Sequence, residues 1–198
     1  MKILIIYHSI LGHVFSLAKS AFEGIGLVSG AEPVLRRVEE FEPTIRWIMQ
    51  NEQARLVWEA QRDIAACTLD DLRSANGVLI GSSGRYGNMS AQMKYFIDST
   101  SSIWVNGEME GKPAGVFTAS GTTHGGQEAA LLTMIVPLLQ LDPVGSPQVL
   151  QQTQNGLLGT LQELGQTCQR ILLPGEEKAH KQADDLFALA SILSLIHI

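Results

Sequence analysis

The sequence predicts an α/β protein of three layers, in which five parallel strands lie between two layers of helices. Apolar runs of strand length alternate with helical patterns along the 198 residues, and this alternation implies parallel strands joined by right-handed crossovers. A loop of small and polar residues follows the first strand. Such a loop favours the strand order 2-1-3-4-5, in which ligands bind beyond the carboxyl ends of the strands.

Five segments are predicted to be strands. The first is continuously apolar, as expected of a strand that is covered on both faces. The fifth is a poor strand, because Pro143 and Pro147 interrupt it. In chain order the strands span residues 3–7, 32–38, 77–82, 113–119 and 142–150.

Helical patterns connect these strands. The first helix opens at Gly12 and His13, and its apolar face comprises Val14, Leu17, Ala18, Ala21, Phe22 and Ile25. One long helical segment is predicted over residues 41–66, with Trp47 and Trp58 packed against the protein. Thr68 is the predicted N-cap of the next helix. Further helices are predicted over residues 90–103, 125–141 and 176–191.

Composition excludes several classes of function. The formal net charge is −6 and no basic cluster is present, so we expect no nucleic acid as a partner. Cys67 and Cys168 lie far apart without other residues at ligand spacing, which predicts no metal site and indicates reduced thiols in a cytoplasmic protein. No apolar run approaches the ~18 residues of a membrane span, so no integral membrane segment is expected.

Three loops that follow strands have the composition of ligand-binding loops. Residues 9–14 offer a Ser hydroxyl and a helix start, which can bind a phosphate, although a simple helix cap explains them equally well. The segment 81–100, GSSGRYGNMSAQMKYFIDST, is too rich in Gly and Ser to be core and leads into a helix. Residues 119–128, ASGTTHGGQE, again combine hydroxyls, glycines and a helix start. Together the loops predict a phosphate-bearing planar ligand.

These segments resemble a known family. RYGNMSAQMKYFID, then Trp104, GKPAGVF and SGTTHGGQE, resemble the WrbA family of flavodoxin-like NAD(P)H:quinone oxidoreductases. YHSILGHV is similar to that family's phosphate loop, although such a loop marks flavodoxin-like proteins in general. The resemblance extends from Lys2 to about Leu139 and ends there, since Leu141 stands where the family usually has a His. It implies a flavodoxin-like fold, bound FMN, NADH or NADPH as electron donor, a quinone substrate and a homotetramer, with a dimer as the alternative.

The resemblance also implies site residues. The phosphate would be held by Ser9, Ile10, Leu11, Gly12, His13 and Val14. The isoalloxazine would be bordered by Gly84, Arg85, Tyr86 and Asn88. Its other side would be closed by Ala119, Ser120, Gly121, Thr122, Thr123, His124 and Gly125. The quinone site would include Trp104 and His124. No catalytic protein residue is expected, because the flavin supplies the chemistry.

Several of these roles have alternatives. We favour flavin contact for Arg85, whose cation would suit the anionic reduced flavin, and a position at the flavin edge for Tyr86. Asn88 braces its loop or contacts the ligand, and both interpretations stay open. His124 is a candidate proton donor to quinone or an ordinary loop residue. Trp104 is a wall of the quinone site or a core residue.

Two further interpretations concern the whole chain. The last six residues can be encoded by the end of a common sequencing adapter, so we interpret residues 1–192 as one domain and 193–198 as a candidate non-native tail. The predicted function is FMN-dependent, two-electron reduction of quinones by NAD(P)H in a ping-pong cycle. The alternatives are a flavodoxin-like electron carrier and a divergent, non-catalytic FMN-binding protein.

Overall fold

The computed structural model describes residues 1–122 and 125–141, and within them one parallel sheet forms the centre of the fold. Its strand order is β2-β1-β3-β4, which agrees with the first four positions of the predicted order. The predicted fifth strand at 142–150, the helix at 176–191, Cys168 and the tail at 193–198 lie outside the described residues. The strands are β1 Lys2–His8, β2 Glu32–Arg37, β3 Gly77–Ser83 and β4 Ala114–Ala119.

Helices in the described part of the chain connect and cover these strands. None of them is long and apolar enough to cross a membrane. They are α1 His13–Gly26, α2 Glu42–Gln50, α3 Glu52–Ala60, α4 Leu69–Ser74, α5 Ala91–Asp98, α6 Ser101–Val105 and α7 Gln127–Leu141.

Two predicted helices are each two helices in the structure. Asn51 ends α2 in an extended conformation, and its side-chain oxygen accepts a hydrogen bond from Ala54 N at 2.9 Å, which caps α3. The segment 90–103 likewise divides into α5 and α6. The prediction that Trp47 is packed was wrong, since 47% of it is exposed on α2, whereas Trp58 on α3 is half-buried. Thr68 is the N-cap of α4, as predicted, in a capping box with Asp71.

The core lies on both faces of the sheet. Alternate side chains of β1 point to opposite faces, so Leu4 and Ile6 pack in one cluster and Ile5 and Tyr7 in the other. On α1 the buried aromatic residue is Phe15, and Phe22 is 38% exposed, contrary to the predicted face. Phe15 is the buried aromatic residue of α1 because its ring stacks on the ring of Tyr7, with the two centroids 5.5 Å apart.

Candidate functional site

Three loops meet at the carboxyl edge of the sheet. The first loop (residues 9–12) follows β1, the second loop (84–90) follows β3, and the third loop follows β4, with residues 120–122 and 125–126 described. Because β1, β3 and β4 are adjacent and parallel, their loops lie side by side. Gly84 N donates a hydrogen bond to Ala119 O at 2.9 Å, and Ser83 Oγ donates to His8 O at 3.4 Å. The predicted convergence of the loops is therefore present.

The first loop presents an uncapped helix start. Gly12 precedes α1 with φ +94°, a conformation that favours glycine, and no described side chain caps the helix there. Gly12 N donates to Ser9 Oγ at 3.2 Å, and the first turn of α1 contains no acidic residue. Free N–H groups at the positive end of a helix bind anions. The first loop can thus hold a phosphate.

Not every predicted phosphate-loop residue offers its side chain. Ile10 is 8% exposed and Val14 is 1% exposed, and both pack in apolar clusters. They can contribute only backbone groups. Leu11 and His13 are exposed at the same edge.

The second loop contains a tight turn that displays Tyr86. Arg85 N donates to Asn88 O at 2.8 Å, and Asn88 N donates to Arg85 O at 3.0 Å. The two central residues have positive φ, +52° at Tyr86 and +74° at Gly87, as in a type I′ turn. Tyr86 is fully exposed, so no packing within the described residues accounts for its unfavourable backbone conformation. Asn88 braces the turn, because its Oδ1 accepts from Met89 N at 2.8 Å.

Two serines close the base of the second loop, and sequence analysis missed this role. Ser82 and Ser90 are 0% and 1% exposed, so part of the segment judged too polar for the core is buried. Ser90 N donates to Ser82 Oγ at 2.9 Å, and Ser82 Oγ donates to Ser90 Oγ at 3.1 Å. Ser90 also caps α5 through Met93 N. These bonds hold the turn at a set position above β3.

The third loop packs against the second. A Cβ on Gly126 would lie 2.9 Å from the Cα of Gly87, so only glycine allows this approach. Ser120 Oγ donates to Thr122 O at 2.8 Å and Gln127 Nε2 donates to the same oxygen at 3.0 Å, which folds the loop back on the start of α7. Thr123 and His124 lie outside the described residues. Trp104 lies on α6, outside the three loops, and is 49% exposed.

A buried hydrogen-bonded pair of His8 and Glu40 beside the first loop was also missed. His8 Nε2 bonds to Glu40 Oε2, and Glu40 further accepts from Phe41 N at 2.9 Å and from the side-chain amide of Gln92. Burial alone would raise the pKa of Glu40, but the hydrogen bond and charge of His8 and the donors Phe41 N and Gln92 outweigh it. The pKa of Glu40 therefore lies below its usual value.

In the part of the chain that the structure describes, no three His, Cys, Asp or Glu side chains lie close enough together to bind a metal ion. Cys67 is a free thiol. Burial, helped by Asp71, raises the pKa of Cys67, so it stays protonated and unreactive at neutral pH.

Comparison with known proteins shows which family this sequence resembles. Residues 1–155 match the family model described as NADPH-dependent FMN reductase. A Geobacter metallireducens protein named NAD(P)H dehydrogenase (quinone) is 45% identical over 139 residues, which are 70% of this chain and 68% of the relative. A Geobacter sulfurreducens protein of the same name is 43% identical over 140 residues, with 70% and 68% covered.

Solved structures support the fold alone. A WrbA-like flavodoxin protein from Agrobacterium tumefaciens has a TM-score of 0.51 at 21% identity, over 71% of this chain and 73% of that one. A flavodoxin from the domain Archaea has a TM-score of 0.51 at 19% identity, over 83% and 99%. The sheet described above is thus of the flavodoxin-like type.

Proposed function

Because this chain belongs to the NADPH-dependent FMN reductase family, we propose that it binds FMN at the three loops and reduces quinones with electrons from NAD(P)H. The relatives named NAD(P)H dehydrogenase (quinone) support this reaction. FMN, when bound, supplies the hydride-accepting and two-electron chemistry. The protein's own task is to hold the cofactor and to leave room for the substrates.

The observation that carries the proposal is the conformation of Tyr86. A non-glycine residue with φ +52° costs of order 1–3 kcal/mol, and strain of this kind concentrates at functional sites. The turn gains no packing from the fully exposed ring. A flat ligand between the second and third loops would give the ring a partner, and an isoalloxazine is such a ligand.

The first loop fits the phosphate of FMN. The uncapped start of α1, with Ser9 and Gly12 beside it, offers N–H donors, and the first turn of α1 contains no acidic residue. The side chains of Ile10 and Val14 serve the core instead, so backbone groups hold the phosphate. FMN should therefore bind more tightly than riboflavin, which has the same ring and no phosphate.

Charge near the ring comes from Arg85. Its side chain is exposed and makes no hydrogen bond or ion pair with any described residue, so it is free to face a ligand. A guanidinium beside the flavin would favour negative charge on the reduced ring. Ala119, at the end of β4, and the third loop would close the opposite side.

The substrates share one open face of the cofactor in this proposal, so NAD(P)H leaves before the quinone binds and the kinetics are ping-pong. Trp104 and His124 are the proposed quinone contacts. From the resemblance to the WrbA family we further propose that the protein is a homotetramer in the cytoplasm. Light scattering coupled to gel filtration tests the tetramer.

One experiment tests the function directly. The purified protein is titrated with FMN and with riboflavin while visible absorbance is recorded, and benzoquinone reduction by NADH and NADPH is then assayed. We expect saturable FMN binding, at least tenfold weaker riboflavin binding, and steady-state turnover. A colourless protein that does not bind FMN would refute the proposal. Bound FMN without turnover would favour an electron carrier.

A further inference from the structure

One face of the first loop is covered by α2 and α3. Ile10 is buried in an apolar cluster with Ile48 of α2 and Ala54 of α3. Val57 of α3 packs on the backbone of Gly12, since a Cβ there would lie 3.2 Å from Val57 Cγ2. The loop proposed to hold the phosphate of FMN therefore rests on helices from a distant part of the sequence.

Gln61, which ends α3, adds a directed contact to this packing. It is 4% exposed, and its Nε2 donates to Val57 O at 2.9 Å and to Ser9 O at 3.3 Å. Both acceptors are carbonyl oxygens, so the nitrogen of the amide must face them and both of its N–H groups are used. Among the described residues, no other group donates to Ser9 O.

The bond from Gln61 sets the orientation of the peptide unit between Ser9 and Ile10. This unit is planar and trans, so its C=O and N–H point in opposite directions. Because Ser9 O points at Gln61, Ile10 N–H points away from Gln61. Turning the peptide unit would break the bond, so the Gln61 side chain holds the direction of Ile10 N–H.

Ile10 N–H is a free donor of the first loop. It donates to no described residue, whereas Gly12 N–H is already bonded to Ser9 Oγ at 3.2 Å. We propose that Gln61 is a positioning residue of the phosphate site, which acts through Ser9 O to aim Ile10 N–H at the phosphate of FMN. Gln61 itself does not touch the phosphate, because both of its N–H groups are used. This role rests on the proposed function, since it concerns the same site.

Titrations of the purified protein with FMN and with riboflavin test the role of Gln61. Gln61→Met keeps the size of the side chain and removes both donors. Gln61→Asn keeps the amide but is one methylene shorter, so it no longer reaches Ser9 O. In each variant we expect FMN affinity to fall about fivefold, the effect of about one hydrogen bond, while riboflavin affinity changes by less than about twofold. Gln53→Met makes the same change at an exposed position of α3 and should keep both affinities.

Two further measurements separate the bond from the packing around it. Val57→Ala removes the methyl groups that contact Gly12 and leaves both acceptors of Gln61 in place. It should lower the urea midpoint without reducing the preference for FMN over riboflavin. In proton–nitrogen NMR spectra, FMN should move the Ile10 amide proton of the wild type downfield, and it should move it less in Gln61→Met.

Several results would overturn this role of Gln61. These are an unchanged preference for FMN in a folded Gln61 variant, equal losses of FMN and riboflavin affinity, loss of the preference in Val57→Ala, and an Ile10 amide that FMN does not shift. Gln61→Asn keeps a polar side chain, so it is expected to fold even if Gln61→Met does not.

Failure of the proposed function would look different. A wild-type protein that binds neither flavin would overturn the FMN site and the role of Gln61 together. A wild-type protein that prefers FMN, beside Gln61 variants with the same preference, would reject the role of Gln61 alone.

Discussion

His8 Nε2 lies 2.9 Å from Glu40 Oε2, and both side chains are 4% exposed. Glu40 also accepts hydrogen bonds from Phe41 N and Gln92. One buried carboxylate thereby links the end of β1, from which the first loop starts, to α5, which follows the second loop. The relative position of these two loops depends on a pair that lies 32 residues apart in the chain.

Replacing Glu40 should lower stability in a pH-dependent way. Glu40→Gln removes one half of a buried pair, and we expect the free energy of unfolding at pH 7 to fall by about 2 kcal/mol. The pKa of Glu40 is lowered in the folded state, so its contribution is present above its ordinary value of 4.5 and is lost as pH falls through the folded pKa. The deficit of the variant should therefore shrink below pH 4.5. Urea unfolding across this range measures it.

The exposed neighbour Glu39 supplies the control for that experiment. Glu39→Gln removes the same charge at a solvated position and should leave unfolding within about 0.5 kcal/mol of the wild type at every pH. A deficit of Glu40→Gln that stays constant down to pH 3 would contradict the role of ionisation.

A methyl group at Gly81 should strain the sheet beneath the loops. A Cβ there would lie 2.2 Å from two ring carbons of Phe117, its partner residue on β4. Gly81→Ala should destabilise the protein by about 1–3 kcal/mol, which a shift in the urea midpoint reports. Gly81→Ala combined with Phe117→Leu should recover part of the loss. Gly121→Ala, where a Cβ meets nothing within 4 Å, should be close to neutral. Equal losses at both glycines would refute the steric explanation.

Strands β1, β3 and β4 were predictable because each contains a short apolar run with few competing interpretations, whereas β2 is apolar only at its centre. Helix breaks were harder, since the break at Asn51 depends on one side-chain cap that competes with continued helix. The three loops could be placed from the chain alone, because parallel strands bring their ends to one edge. The hydrogen bonds within and beside these loops could not be predicted from the sequence. The Ser82–Ser90 and His8–Glu40 contacts arise only when distant segments pack, and neither pair has a sequence spacing that signals it.

Tyr86 should separate binding from stability. Tyr86→Gly removes the ring and relieves the positive φ, so we expect FMN affinity to fall about tenfold while the free energy of unfolding stays the same or rises by up to about 1 kcal/mol. Tyr86→Ala removes the ring and keeps the strained backbone, so it should lose the same affinity without that gain. Absorbance titrations and urea unfolding measure the two effects. If Tyr86→Gly destabilised the protein and bound FMN normally, the ring would be structural.

Trp104 should affect quinone use more than folding. It is 49% exposed on α6, so Trp104→Ala should change the free energy of unfolding by less than about 1 kcal/mol. Because Trp104 is a proposed wall of the quinone site, Trp104→Ala should raise the KM for benzoquinone several-fold and leave the KM for NAD(P)H nearly unchanged. Trp47 on α2, 47% exposed, provides a control of the same size and exposure, and Trp47→Ala should alter neither constant. Should the two variants prove kinetically alike, Trp104 would have no place in the quinone site, and its exposed ring would need another explanation.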